Sequence, residues 1–211
     1  MPEQHKMGAA IITLVIGVLV GGGVGFALGN NGSDSNKSDD KMMSQDAGAD
    51  TDGVTVGGAK MVSDKDIVDN AVNAKNVTTV VDLVKKAGLV ETLKSTGPFT
   101  VFAPNNDAFA AVPKDVLNKV AGSKDLLTTV LTYHVVAGTY TTADLRAMAA
   151  KGQTLKTVQG GTLSVKVENG NLAIVDATGQ KVMIETPDVI SSNGVTHVIK
   201  NVLLPVDPST L

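Results

Sequence analysis

Met7 to Leu28 is a run of 22 residues without a charge: 15 are apolar, 6 are Gly and one is Thr. As a helix it would be about 33 Å long, enough to cross a hydrocarbon core of about 30 Å. It predicts a single transmembrane anchor over 7–29, preceded by a cytoplasmic stub at 1–6. A cleavable signal peptide is the rival reading, because "ALGN" (Ala27 to Asn30) carries small residues suited to a cut. Signal-peptide cores, however, usually run only about 7–15 residues. Lys6 and the terminal amine precede the span, while Asp34, Asp39 and Asp40 follow it. The positive-inside bias then leaves the amino terminus in the cytoplasm and exports the rest, or secretes it if the segment is cleaved.

Gly17, Gly21, Gly25 and Gly29 fall four apart and stack on one face of that helix. Small residues at this spacing let two backbones approach closely in lipid, so weak homodimerisation through the membrane helix is one expectation. The plainer reading is that Gly is common in transmembrane helices. Residues 30–60 are rich in Gly, Ser, Asn and Asp, with six Asp against three Lys, and bury too little apolar surface to fold. They predict a flexible linker whose ends lie about 30 Å apart. A folded domain is expected over 61–206, followed by a short tail at 207–211.

Within that domain, helical spacing comes first. Ser63 with Asp66 reads as a helix start, and Ile67, Val68, Ala71 and Ala74 share one face. "TTVVDLVKKAGLVETLKSTG" repeats the pattern with Gly88 as a stop. "FTVFAP" (Phe99 to Pro104) is a buried strand. Pro113 and Ser123 open two further helices, and "TADLRAMAAKG" forms another. From Thr154 the pattern alternates, with turn signals at Asn169-Gly170 and Thr178-Gly179, and "GVTHVIKNVLL" reads as a long closing strand. Helices first and strands last predict an α+β fold, a mainly antiparallel sheet with the helices segregated to one side.

Three separated stretches carry a resemblance. "FTVFAPNNDAFAAVP" (Phe99 to Pro113), "TYHVVAG" (Thr132 to Gly138) and "SSNGVTHVIKNVLLP" (Ser191 to Pro205) resemble, in order and spacing, the two signature blocks and the central Tyr-His motif of the fasciclin (FAS1) domain. The resemblance implies a β-wedge packed against a group of helices, displayed outside the cell as an adhesion or matrix module and not as an enzyme. It implies structural roles for Phe102, Pro104, Asn106, Asp107, Phe109, Gly194 and His197. In animal relatives the Tyr-His motif, here Tyr133 and His134, is implicated in integrin recognition. A second such motif, Asp-Ile, looks here like Asp188 followed by Val189, a departure that weakens transfer of receptor specificity. Asn105 stands where many members have Thr.

The residues themselves exclude much chemistry. There is no cysteine, hence no disulfide, thiol nucleophile or thiolate metal site, and the net charge of -3 argues against a nucleic-acid partner. No nucleophile elbow, phosphate loop, zincin helix or Ca²⁺ loop is present. His134 and His197 are the domain's two histidines, fewer than a transition-metal site normally recruits. No metal and no cofactor are expected. Both histidines read first as hydrogen-bonded structural groups, with Asn106 and Asp107 as turn and helix cap and Gly194 as a positive-φ position. Tyr133 is expected to cover the adjacent surface and offer a contact patch. The functional expectation is a surface-displayed adhesion module with a protein or glycan partner. The alternative is a module binding a lipid or small apolar ligand between helices and wedge.

Overall fold

The computed structural model describes residues 53–206. The anchor expected over 7–29, with Gly17, Gly21, Gly25 and Gly29, lies outside the described residues, as do most of the linker and the tail. Among the described residues no helix is long and apolar enough to cross a membrane.

The described chain opens inside the stretch read as linker. Thr55–Val56 (β1) and Ala59–Lys60 (β2) pair antiparallel about Gly57 and Gly58, both at positive φ. Val56 and Met61 are each 3% exposed and belong to the apolar core, so the linker boundary at Lys60 is too late. Polar composition hid a short signal, the alternation Val54-Thr55-Val56 ended by a glycine turn.

The helices follow their caps. Ile67–Ala71 (α1) starts at Asp66 and not at Ser63, because the Asp66 carboxylate accepts from Asp69 N at 2.8 Å. Thr78–Ala87 (α2) stops at Gly88, whose φ of 76° turns the chain so that Gly88 N and Leu89 N bond back to Lys85 O and Val84 O. Val90–Lys94 (α3) leads to the strand Phe99–Pro104 (β3). Asn106–Ala110 (α4), Lys114–Gly122 (α5) and Lys124–Tyr133 (α6) follow. The cap of α4 is Asn105, accepting from Ala108 N at 2.7 Å, so Asn106 and Asp107 sit in the first turn and do not cap it. After Val135–Ala137 (β4), Thr142–Lys151 (α7) opens with a capping box between Thr141 and Asp144. The remaining strands are Thr154–Lys156 (β5), Thr162–Glu168 (β6), Asn171–Val175 (β7), Lys181–Ser191 (β8) and Gly194–Ile199 (β9). The closing strand is shorter than its aliphatic run: after Ile199 the chain leaves the ladder, and Val202, Leu203 and Leu204 are buried outside any strand.

Seven strands form one sheet in the order β4-β3-β9-β8-β7-β6-β5. All its pairings are antiparallel but one: β3 and β9 run parallel, from Phe99 opposite Gly194 to Pro104 opposite Ile199. The sheet curls until its ends meet, with a bridge between Val136 and Thr157 and a bond from Val158 N to Val135 O at 2.7 Å. This α+β arrangement creates two apolar clusters. One lies between helices α1–α6 and the sheet, around Val80, Val101, Leu127 and Val198. The other fills the concave side of the curl with Phe102, Tyr133, Leu163, Ile174 and Ile199. The helices are not all on one side: α7 inserts Leu145, wholly buried, into the second cluster. Its weak amphipathic pattern gave no warning of that separation. Each fully buried Leu or Ile in these clusters contributes about 1.5–3 kcal/mol.

Gly194 begins β9 at φ 155°, and a Cβ there would fall 2.0 Å from Phe99 O. Gly194→Ala must therefore push β9 off β3. The expected loss is about 3 kcal/mol in urea unfolding; a variant within 0.5 kcal/mol of the parent, roughly the range of a neutral surface change, would show that the strands do not approach this closely.

Candidate functional site

The Tyr-His motif ends α6, and both side chains point inward. Tyr133 is 0% exposed, its hydroxyl donating to Thr162 O at 3.0 Å and accepting from Ala177 N at 2.9 Å. It joins α6 to the start of β6 and to the β7–β8 turn, and covers no surface. His134 is 4% exposed. Its Nδ1 lies 2.8 Å from Val130 O and its Nε2 3.0 Å from Leu203 N. A carbonyl only accepts and a backbone N–H only donates, so Nδ1 carries the proton and Nε2 receives a bond. The ring thus ties the end of α6 to the buried segment after β9. Asp176 assists from the far side, its Oδ2 accepting from Leu204 N at 3.1 Å while Oδ1 accepts from Thr178 N and Gln180 N.

His197 has the opposite proton placement. It is 0% exposed and stacks on Phe102 with ring centroids 5.6 Å apart. Its Nε2 donates to Tyr140 O at 2.8 Å and its Nδ1 accepts from Asp188 N at 3.2 Å. The second bond has a definite origin. The β8–β9 register slips between Ile184 and Thr186 and again between Thr186 and Val189, so Asp188 leaves the ladder. Asp188 adopts a φ of 53°, and the imidazole of His197 takes up its N–H. The Asp188 carboxylate turns outward to accept from Thr142 N at 2.8 Å and from the Thr142 hydroxyl, fixing the first turn of α7. Val189 is 4% exposed and faces the helical core.

The four residues expected to meet a partner are therefore internal or half-buried. Tyr133, His134 and Val189 offer no surface, and Asp188 is engaged with α7. Phe102, Pro104 and Phe109 are buried. Asn106 bridges α4 to the start of α2, accepting from Thr79 N at 3.1 Å and donating to Lys75 O at 2.9 Å. Asp107 is exposed. Sequence reading missed several polar clips. Thr100 donates to Gly138 O at 2.7 Å and accepts from Tyr140 N at 2.9 Å. Asn193 accepts from Ile67 N and donates to Leu93 O and Ser95 O. Asn70 donates to Ser191 Oγ at 2.9 Å. The available signal was a polar residue inside an apolar run, which holds for Thr100 and Asp176 but not for Asn70, which follows Asp69.

What this clasp presents outward is the loop Thr139–Thr142 and the flank of α7. Between Tyr140 and the carboxyl end of α7 lies an open groove of about 700 Å³. The crevices between helices and sheet are far smaller, 20–50 Å³ each, against about 300–1,000 Å³ for a pocket that encloses a small ligand. Among the described residues no three of His, Cys, Asp and Glu converge to hold a metal ion.

Burial pushes the His134 imidazole down to about 4, against the opposing pull of Val130 O and the Asp176 carboxylate. His197 is lowered too, by burial, against Tyr140 O and Asp188. Both are neutral in the folded domain, whereas the unfolded chain takes up their protons near pH 6.5. Folding stability is then fully present above pH 6.5 and declines as pH falls toward 4. His134 alone accounts for about 3 kcal/mol of that decline. Urea unfolding from pH 7.5 to 4 should show the slope, and a flat profile would contradict the buried neutral rings. Tyr133→Phe leaves Thr162 O and Ala177 N without their partner and should cost about 1–3 kcal/mol in the same assay.

The family model described as "Fasciclin domain" matches residues 75–205. Protein sll1483 of Synechocystis sp. is 42% identical over 141 residues, spanning 66% of this chain and 73% of that protein. Immunogenic protein MPB70 of Mycobacterium bovis is 33% identical over 120 residues, 57% of this chain and 56% of its own length. Among solved structures, the FAS1 domain pair from the insect cell adhesion molecule Fasciclin I is similar with a TM-score of 0.57 at 24% identity, covering 68% of this chain and 52% of that one.

Proposed function

The chain belongs to the fasciclin domain family, and from that premise we propose that it is an extracytoplasmic, surface-displayed module that mediates cell adhesion or surface contact through a protein or glycan partner. The observation that carries this reading is the use of the motif side chains. His134, His197 and Tyr133 each engage backbone groups on both sides, so none is left to transfer a proton or attack a substrate. Through His197, which holds Tyr140 by its carbonyl and takes up the N–H of Asp188, whose carboxylate fixes the first turn of α7, the Thr139–Thr142 loop and the start of α7 stand in fixed positions at the surface, as a contact module requires. The insect relative of similar fold is itself described as a cell adhesion molecule. The uncharged segment 7–29 supplies the tether in this proposal, with the acidic stretch after it lifting the domain away from the bilayer and the glycine face favouring a weak dimer. The lipid-carrier alternative has no comparable support, since a chain of lipid size would have to part the helices from the sheet to enter crevices of 30–50 Å³.

Deletion of residues 61–206 from the native cell, with 1–60 retained, should lower attachment to surfaces or to other cells severalfold. Unchanged attachment on protein-coated, polysaccharide-coated and bare surfaces would overturn the proposal. Protease added to intact cells should remove the domain; protection of the domain would refute its display outside.

A further inference from the structure

We propose that the groove between the Thr139–Thr142 loop and the carboxyl end of α7 binds a saccharide, with the Tyr140 ring as the stacking platform. The proposal rests on the adhesion reading and gives the partner a chemistry. The groove holds about 700 Å³ and is lined by Thr139, Tyr140, Met148, Lys151, Gln153 and Thr154. Its composition is that of a sugar site. A pyranose presents a face of C–H bonds, which suits the negative face of an aromatic ring, and an equator of hydroxyls, which suits neutral donors and acceptors held at fixed positions.

Tyr140 is held for such a task. Its N–H bonds to Thr100 Oγ1 at 2.9 Å and its carbonyl accepts from His197 Nε2 at 2.8 Å, so the backbone beneath the ring is pinned on both sides. Gly138, at φ 107°, makes room for the ring: a Cβ there would fall 3.1 Å from Tyr140 Cε2. The opposite wall is equally fixed. Gly152 ends α7 in the left-handed region, and Gln153 N returns to Met148 O at 3.0 Å. Among the described residues the side chains of Thr139, Gln153 and Thr154 and the Tyr140 hydroxyl make no hydrogen bond within the protein. Neighbouring Asp144, by contrast, is taken up by Thr141. Among the described residues the buried side-chain polar atoms find partners except Asn76 Oδ1; these four line the groove and are free to meet a ligand there.

Charge and shape favour a sugar over the other polymers. Lys151 and Asp144 bring opposite signs, so the groove has none of the basic excess that a polyanion needs. A peptide partner would be anchored in an apolar pocket, and this groove offers only Met148 and Ala147 beside the ring. Both walls are set before binding, which spares a weak polar ligand the entropy of ordering them.

The test uses the full-length chain in detergent and three neutral hexasaccharides as probes: β-1,4-linked glucose, β-1,4-linked N-acetylglucosamine and α-1,6-linked mannose. Saturation-transfer NMR should show binding of at least one. Tyr140→Leu and Gln153→Ala should each weaken it about tenfold, while Val72→Ser, exposed at the end of α1, should not. Circular dichroism and a thermal melt establish that each variant is folded; Gln153→Ala, on the open wall, remains informative if Tyr140→Leu does not fold. No binding by any probe, or binding that both groove variants leave unchanged, overturns the saccharide. The adhesion reading fails separately. If Tyr140→Leu abolishes cell attachment to a surface that protease treatment, but not periodate, makes non-adhesive, the partner is a protein: the groove's saccharide falls and adhesion stands. If domain deletion leaves attachment intact, adhesion itself falls.

Discussion

Six residues of β3 lie in parallel register against six of β9, and the rest of the domain is arranged around that contact. A parallel pair needs a crossover connection, and here everything from α4 to β8 serves as one. Closing so long a loop costs entropy before any contact repays it, so the pair holds only because it is covered everywhere. β4 and β8 flank it in the sheet. Phe102, His197 and Ile199 face one apolar cluster, and Val101, Ala103 and Val198 face the other. Burial on both faces is the reason both strands read as near-continuous aliphatic runs. It is also the reason Gly194 has no room for a side chain against Phe99.

A sheet that curls closed must break its ladder somewhere, and each break leaves a backbone group to satisfy. The bulge in β8 frees Asp188 N, which His197 receives. The chain beyond β9 leaves the sheet at Ile199, and its orphaned N–H groups at Leu203 and Leu204 go to His134 and Asp176. The two imidazoles carry their protons on opposite nitrogens because the carbonyl partner lies at Nδ1 of His134 and at Nε2 of His197. Donor and acceptor requirements of the fold account for the placement of both histidines. Since each ring joins groups from two different elements, losing one uncouples elements and not merely a contact.

The same clasp explains how buried side chains bear on the surface. His197 holds Tyr140 by its carbonyl, Thr100 holds it by its N–H, and Asp188 holds the first turn of α7. A change at any of these would alter the loop and the groove without touching a partner. Of the residues expected to meet a partner, Asp188 thus bears on the surface by positioning α7, while Tyr133, His134 and Val189 lie inside.

The sequence by itself determined the elements and the family. Gly88 stops α2 because only a residue without Cβ enters the left-handed region cheaply, and Asn169-Gly170 turns β6 into β7 for the same reason. Such signals are local, as is the cap at Ser123, and local signals survive in one dimension. The three motif blocks added a long-range pattern that named the fold. Tertiary structure alone decided what those signals could not encode: that the first and last blocks pair in parallel, that β1 and β2 rise out of a polar stretch, and that α7 separates from the other helices to seal the curl. It also decided that Tyr133 lies inside and Tyr140 at the groove. An aromatic at the end of an amphipathic helix reads the same whether a second layer covers it or not. Only the closure of the sheet over α6, which buries the Tyr133 hydroxyl between Thr162 and Ala177, settles which of the two tyrosines meets the solvent.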